Sequence, residues 1–489
     1  MTTGAAATAA VALLLPAAGA YAQEAPSAAA LPPLAAPKPL TLPKVTQETL
    51  PNGLRLVVLE NRNQPAVWFR LAMPAGAIRD TPEKVGLATM VADMLDKGTT
   101  TRTESQIADT VDGLGASLGA SADDDYLFVS ASGLSPYADT LLELLADITL
   151  NPTFPEAEAE RYRARTLGGI QASLADAGTV ASAALARAVY GAHPYGNFST
   201  GTPKTVPNLQ VADLKGFHQR YFAPNGATLF VAGDITAAQA RQKVEKAFGS
   251  WGRKVVPPLP AAPKPPSQKR IVIVDRPGAA QTEIRIGQQT PGYADPSRIP
   301  FQVSSVLLGG GFESRLSKEI RVKRGLTYGV SASNRRNRDA GLFSIGTFTK
   351  NESTGEVVQL SLAEMKSLRD TAPTPTELGE RKTLLTGLFA LGVATPEGVL
   401  TRLIPATLYG GGVQDLAAYT QRVTAVTPED VRKVFQSLPE EASTVVLVGD
   451  AKAIQPQVAG MGTVTVIPQE ALDLNAPDLG AGAAKPATP

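Results

Sequence analysis

The chain of 489 residues repeats itself, and this duplication constrains its fold more than any other feature. The first half ends in ATLFVAGD (227–234) and the second in STVVLVGD (443–450), so the two Gly-Asp ends, at positions 234 and 450, lie 216 residues apart. A second pair of similar segments, FPEAEAER (154–161) and TPTELGER (374–381), has an offset of 220 residues. Similar offsets at two places indicate one duplicated unit with small insertions, and therefore two related domains.

A proline-rich stretch, VVPPLPAAPKPPS (255–267), separates the two halves. Its proline density excludes a helix or a central strand and is typical of a linker. The sequence therefore predicts a first domain over 45–253, a linker over 254–268 and a second domain over 269–460.

Periodicity within the first half predicts the fold class. Apolar alternation indicates strands at 54–60, 66–74 and 227–232, and Thr103 with Gln106 has the spacing of a capping box at a helix start. Helical patterns occupy 86–96, 138–149, 155–172 and 211–222. Strands and helices in separate runs favour an α+β fold over repeated βαβ units. We expect two homologous domains, each a mostly antiparallel sheet packed with helices.

The chain termini and the composition restrict the cellular compartment and the classes of binding partner. A short apolar run ending in Ala20-Tyr21-Ala22 predicts an export signal (1–22) cleaved after Ala22, with a membrane anchor as the alternative. The absence of cysteine agrees with a periplasmic or secreted protein. We expect a proline- and alanine-rich linker over 23–44 and a C-terminal tail over 461–489, and the composition predicts disorder at 23–43 and 471–489. A net charge of +1 without a basic, aromatic-rich run excludes nucleic-acid binding.

The helical run VGLATMVADMLDKGT (85–99) resembles a zinc-peptidase active-site helix without its ligands. Two histidines at i and i+4 lie on one helix face and can share a zinc ion, and a neighbouring glutamate can take a proton from zinc-bound water. Here those positions hold Thr89 and Asp93, with Ala92 in the place of the glutamate. With two histidines and no cysteine in the chain, a zinc site rich in nitrogen and sulfur ligands is difficult to build.

The run fits the frame G-L-A-H-x-x-E-H-M-x-x-K-G-T of the insulinase, pitrilysin and mitochondrial-processing-peptidase family, and the resemblance extends over about 46–451. That family takes its third zinc ligand from a glutamate about 75 residues further on, and Gly168 or Gly169 stands at that position. The resemblance implies the two-domain fold and a chain that binds no metal or other cofactor.

The second half resembles the second-domain signature of the same family over GGGFESRLSKEIRVKRGLTY (309–328). In the family an arginine and a tyrosine seven positions apart contact the substrate, and Arg321 and Tyr328 have that spacing. Ser314 is expected to cap a helix that Gly325 ends, followed by a strand over 326–332 that directs both side chains into one cleft. A phenol and a guanidinium suit the oxyanion and backbone of a peptide undergoing hydrolysis.

Structural interpretations compete with these functional ones. Tyr328 could be a half-buried core residue that shares a strand face with Leu326 and Val330, and Arg321 an ordinary surface cation. The triple glycine at 309–311 either admits a substrate backbone or, as is commoner, forms a flexible turn. His193 is expected to be a hydrogen-bonded loop residue and His218 to flank the apolar stripe of its helix.

The resemblance implies the zinc-less, non-catalytic subunit of an exported heterodimeric zinc endopeptidase. Its partner would be an H-x-x-E-H-containing subunit of the same family that carries the zinc, and the substrate a peptide or an unfolded protein segment. The alternative is a structural or binding protein that has the fold and no proteolytic role. A third interpretation, a zinc enzyme with non-standard ligands, predicts stoichiometric zinc in the isolated chain.

Overall fold

The computed structural model describes residues 43–483. The predicted export signal, its cleavage after Ala22 and nearly all of the stretch at 23–44 lie outside the described residues. Within them, no single helix is long and apolar enough to cross a membrane. Two consecutive helices, Pro375–Gly392 and Pro396–Leu408, are together long and apolar enough, but the chain bends by 115° between them.

The first half forms a six-stranded sheet in the order β1-β2-β6-β3-β5-β4. Every neighbouring pair is antiparallel except β2 and β6, which are parallel. Alternation of buried Val67, Phe69 and Leu71 along β3 gives this sheet its helix-covered face. The strands are β1 (Val45–Thr49), β2 (Arg55–Glu60), β3 (Ala66–Met73), β4 (Ser117–Ala122), β5 (Leu127–Leu134) and β6 (Thr228–Gly233).

The second half repeats this order with its own six strands, β12-β7-β11-β8-β10-β9. The five equivalent strands occupy the same places, which confirms the duplication and the predicted α+β class. The sixth strand differs, because β1 comes from the N-terminal side and pairs antiparallel, whereas β12 comes from the C-terminal side and pairs parallel. The strands are β7 (Arg270–Asp275), β8 (Gln281–Pro291), β9 (Val330–Arg336), β10 (Ala340–Lys350), β11 (Thr444–Gly449) and β12 (Thr463–Pro468).

Helices cover both sheets. The helix α2 begins with the predicted capping box, in which Thr103 accepts from the Gln106 amide and the Gln106 side chain accepts in return. The first half contains α1 (Leu87–Met94), α2 (Glu104–Gly113), α3 (Ala138–Leu150), α4 (Glu156–Ala175), α5 (Ala177–Tyr190), α6 (Val211–Tyr221) and α7 (Ala237–Phe248). The second contains α8 (Arg298–Gly309), α9 (Thr354–Asp370), α10 (Pro375–Gly392), α11 (Pro396–Leu408), α12 (Gly412–Ala417), α13 (Tyr419–Ala425), α14 (Pro428–Gln436) and α15 (Ala451–Val458).

The two halves exchange equivalent helices. The helix α5 of the first half packs on the second sheet, where Val180 and Leu185 share a core with Val272 and Val446. The helix α11 of the second half packs on the first sheet, against β6. Each sheet therefore buries one face against a helix of the other half, which makes the apolar cores of the two halves interdependent.

Polar contacts from the turn between β4 and β5 join the halves as well. The Asp124 carboxylate accepts from the Arg335 guanidinium at 2.8 Å and from the Asn337 amide at 2.6 Å. The neighbouring Asp125 is 1% exposed and accepts three further hydrogen bonds, from the Tyr195 hydroxyl, the Tyr409 hydroxyl and the backbone amide of Arg338. Two consecutive aspartates therefore hold the second half against the first.

The predicted C-terminal tail over 461–489 is wrong for its described part. Strand β12 completes the second sheet, and the following segment packs on the first half through buried Leu474 and Leu479. The Arg187 guanidinium donates to the Leu474 carbonyl at 2.8 Å, and Lys204 pairs with Asp473 at 2.7 Å. The prediction followed proline and alanine content, which does not register a few well-placed apolar side chains.

Candidate functional site

The N-terminus of α1 is held by one buried carboxylate. Asp80, 4% exposed, accepts from the backbone amides of Gly86 and Ala88, each at 2.9 Å. These amides would otherwise lack partners at the helix start, and the positive end of the helix dipole favours the negative charge. Burial nevertheless raises the pKa of Asp80 to about 7, because desolvation outweighs the amide hydrogen bonds.

This pKa gives the stability a definite dependence on pH. Between about pH 4 and pH 7 the unfolded chain releases the Asp80 proton while the folded chain keeps it, so the free energy of unfolding falls as the pH rises and levels off above pH 7. Urea unfolding across this range should show the fall in the wild type, and Asp80→Asn should reduce its slope. Equal slopes in both proteins would contradict the assignment.

The three zinc-motif positions lie on α1 as predicted, but they do not form a metal site. The Thr89 hydroxyl donates to the Ser199 carbonyl at 2.7 Å, and Ala92 is 1% exposed in the core. Asp93 alone presents a carboxylate to solvent. The described residues contain no group of three histidine, aspartate or glutamate side chains suited to a metal ion.

The helix α4 supplies a cation where the family supplies a ligand. Gly168 and Gly169 are exposed, and a Cβ atom at either would meet open space, so room for a side chain exists but none fills it. One turn earlier on α4 is Arg165, whose positive charge stabilises the negative charge of Asp93. Its guanidinium lies 5.6 Å from the centre of the Tyr162 ring. A guanidinium at this place repels a divalent cation. The residues present therefore do not fit zinc.

Both histidines have structural surroundings. The His193 ring accepts from the Tyr195 amide at 3.1 Å, and burial lowers the pKa of this histidine. The His218 ring lies 2.8 Å from the Thr149 carbonyl and packs on Phe222, and burial lowers its pKa too. These are the loop and helix-flank positions that the sequence predicts.

The second half brings Arg321 and Tyr328 together. The residues Ser317–Lys323 form a π-helical segment, and Gly325 follows it with a φ of +64° that ends the helix, as predicted. The Arg321 guanidinium lies 5.5 Å from the Tyr328 ring centre and 4.9 Å from that of Phe312. Because Tyr328 is 82% exposed and Phe312 56%, the guanidinium is flanked by two solvent-facing aromatic rings.

Local details of this segment differ from the prediction. Strand β9 begins at Val330 and not at Leu326, so Tyr328 lies in the loop before the strand. Its exposure shows that the interpretation of Tyr328 as a half-buried core residue is wrong. The Ser314 hydroxyl donates to the Gly311 carbonyl at 2.6 Å and does not accept from a helix amide.

The triple glycine is closely packed at Gly309 and Gly310 and exposed at Gly311. A Cβ atom on Gly309 would lie 2.2 Å from the backbone nitrogen of Ala332, so the end of α8 can approach β9 only without a side chain. Gly311 has a φ of +111°, in the region that favours glycine. The packing of α8 on β9 thus determines where Phe312 lies.

A polar groove of about 720 Å³ begins next to Tyr328. Gly329 lines it together with serines of β9 and β10, and α5 from the first half forms its other wall. Arg285 and Glu283 pair at 2.9 Å on its surface.

Comparison with known proteins identifies the family. A protein-family model described as insulinase (peptidase family M16) matches residues 56–202. A second family model, described as peptidase M16 inactive domain, matches residues 208–385. The chain belongs to peptidase family M16. The resemblance drawn from the motifs is thereby confirmed, and this M16 chain lacks the H-x-x-E-H motif.

Its M16 relatives and fold neighbours match over most of their length. An uncharacterized zinc protease of Streptomyces coelicolor is 24% identical over 83% of this chain and 90% of that protein, and one of Mycobacterium tuberculosis is 27% identical over 80% and 90%. The crystal structure of a peptidase M16 inactive domain from Pseudomonas fluorescens has a TM-score of 0.78 at 26% identity, covering 83% of this chain and 98% of that one. A protease structure from Helicobacter pylori, at 21% identity over 83% of this chain and 100% of that one and a TM-score of 0.78, supports the M16 fold alone.

Phe312 is the site residue that the sequence analysis missed. The sequence feature that could have predicted it is its place directly after the triple glycine, in a loop ahead of a helix, where side chains are commonly exposed. In this M16 chain it covers one face of the Arg321 guanidinium.

Proposed function

We propose that this M16 chain is the zinc-less subunit of a heterodimeric zinc metalloendopeptidase. The partner is a subunit of the same family that carries H-x-x-E-H and supplies the zinc and the catalytic base. The observation that carries the proposal is the pair of the half-buried Arg321 guanidinium and the exposed Tyr328 ring, brought together in a chain whose own zinc positions do not fit zinc. A phenol exposed to this extent beside a guanidinium is free to donate to a bound peptide.

Arg321 and Tyr328 act on the substrate and not on a metal. The Tyr328 hydroxyl donates to the peptide carbonyl oxygen as negative charge develops on it, and the guanidinium donates to the substrate backbone. Phe312 and Tyr328 both contact the guanidinium and restrict its motion, which lowers the entropy cost of positioning it.

The substrate is a peptide or an unfolded protein segment. The second half exposes large apolar side chains that a folded monomer normally buries, and an unfolded segment provides matching apolar groups. They are Phe312 and Val322 near the arginine, and Leu384, Leu388 and Leu391 along one side of α10.

Removing the Phe312 ring should weaken substrate binding moderately. Phe312→Ala in the reconstituted heterodimer is expected to lower kcat/KM about two- to fivefold, the size of one exposed cation–π contact. The matched control is Leu134→Ala, which removes a similarly exposed apolar side chain at the end of β5 in the first half. Equal effects of the two variants would show that Phe312 does not position Arg321.

The proposed compartment is the periplasm or the exterior, reached through the export signal at 1–22. Mass spectrometry of the protein from the periplasmic fraction should give Gln23 as the first residue. An intact N-terminus in the cytoplasmic fraction would contradict export.

Reconstitution tests whether the partner supplies the catalytic groups and this chain the substrate contacts. The purified chain, the H-x-x-E-H subunit that copurifies with it, and their mixture are each assayed on an unstructured peptide. The mixture should hydrolyse the peptide and this chain alone should not. Full activity of the partner alone would favour the alternative, a structural or binding role. Stoichiometric zinc in the isolated chain would instead favour non-standard metal ligands.

A further inference from the structure

The second half contains a pocket of about 270 Å³ that shares no lining residue with the Arg321 site. It lies between α8, the helices α10 to α13 and strand β9. Three arginines and three aromatic residues dominate its wall: Arg298, Arg336, Arg402, Tyr293, Phe389 and Tyr419.

The positive charge in this pocket exceeds the negative charge. The one carboxylate in the wall, Asp415, is already paired with both Arg298 and Arg422. Neither Arg336 nor Arg402 has a carboxylate within ion-pair distance among residues 43–483. Two guanidiniums are therefore left without a counter-charge.

The surroundings of Arg336 are those of a cation that lacks an anion. Its guanidinium donates to the Gly292 carbonyl at 3.2 Å and, with the Asn334 amide oriented to satisfy its neighbours, to the Asn334 oxygen at 2.9 and 3.2 Å. It also lies 4.7 Å from the Phe301 ring centre, and all three groups are neutral. Burial lowers the pKa of Arg336 to about 10; the charge of Asp295 opposes this shift, and the charge of Arg298 contributes to it. Desolvating a charge without a partner is costly, and an incoming anion would relieve that cost.

The aromatic side of the pocket suits a flat apolar group. The rings of Phe389 and Tyr419 stack with centres 4.3 Å apart, and Arg298 lies 4.4 Å over Tyr293. We propose that this pocket binds a small organic anion, with its carboxylate or phosphate group on Arg336 and Arg402 and its planar apolar body against the aromatic rings.

Calorimetric titration of the full chain tests this with matched probes. N-acetylphenylalanine should bind at least about tenfold more tightly than its amide, which has the same shape without the charge. Phenyl phosphate is the second anion: tighter binding than N-acetylphenylalanine assigns a phosphate ligand, and weaker binding assigns a carboxylate. Equal binding of acid and amide, or no binding of either anion at millimolar concentration, would overturn the proposal.

Variants locate the binding. Arg402→Gln removes an exposed guanidinium without breaking an ion pair in the described chain, so it should leave the fold intact and weaken N-acetylphenylalanine binding about fivefold or more. Arg336→Gln should weaken it further. Arg432→Gln, on α14 and outside the pocket, is the control and should bind like the wild type. Wild-type affinity in both pocket variants would place the anion elsewhere.

Discussion

Turnover by the reconstituted heterodimer is expected to fall about 10²- to 10³-fold when Tyr328 is replaced by phenylalanine, the usual cost of losing one donor to a developing oxyanion. The fall should lie mainly in kcat, because the hydroxyl acts on charge that appears only in the transition state. Arg321→Ala should lower kcat/KM by a similar factor and also raise KM, because a guanidinium on the substrate backbone binds the ground state as well. Steady-state kinetics on an unstructured peptide measures both.

Exposure makes this experiment easy to interpret. Tyr328 is 82% exposed, so its substitution should leave the fold and the association with the partner unchanged. Arg324→Ala removes a nearby exposed arginine that pairs with Glu319 and Glu356, and Tyr137→Phe removes an exposed hydroxyl in the first half. Both controls should retain wild-type turnover. Unchanged turnover in Arg321→Ala and Tyr328→Phe together would eliminate the substrate-contact role.

Local sequence signals predicted which of the candidate residues lie close together. The spacing of Thr89, Ala92 and Asp93 placed them on one helix, and the seven-residue spacing of Arg321 and Tyr328 brought them together across a glycine-ended turn. Such features depend on helical periodicity and on residues a few positions apart. Side-chain exposure was harder to predict. The alternation of side chains along a strand allowed a half-buried Tyr328, whereas in the structure this residue is exposed.

The arrangement of the two halves could not be predicted from the sequence. The apolar faces of α5 and α11 require a sheet, but nothing in their sequences specifies that each sheet belongs to the other half. Strand β12 presents the same difficulty, because its partner β7 lies almost two hundred residues earlier. The contacts that Asp124 and Asp125 make with the second half join residues 211 to 284 positions apart. Pairings at this separation depend on the whole topology and leave no local pattern.

The contact between the two halves can be tested most directly at Asp125. Asp125→Asn should lower the free energy of unfolding by about 3 kcal/mol or more. The carboxylate accepts from Tyr195 at 2.6 Å within the first half, and from Tyr409 at 2.9 Å and the Arg338 amide at 2.8 Å in the second. Burial, followed by the charge of Asp125, raises the pKa of both tyrosines, so their hydroxyls remain donors. An asparagine would turn an amide N–H₂ towards at least one of these donors.

Urea unfolding separates this effect from an ordinary loss of surface charge. Asp139→Asn, which breaks an exposed ion pair to Lys243 at 2.6 Å, should cost less than about 1 kcal/mol. Because the buried carboxylate lies between the halves, its loss should also broaden the transition as the two halves begin to unfold separately. A sharp transition with a cost below about 1 kcal/mol for Asp125→Asn would mean that the other contacts, chiefly the exchanged helices α5 and α11, suffice to hold the halves together.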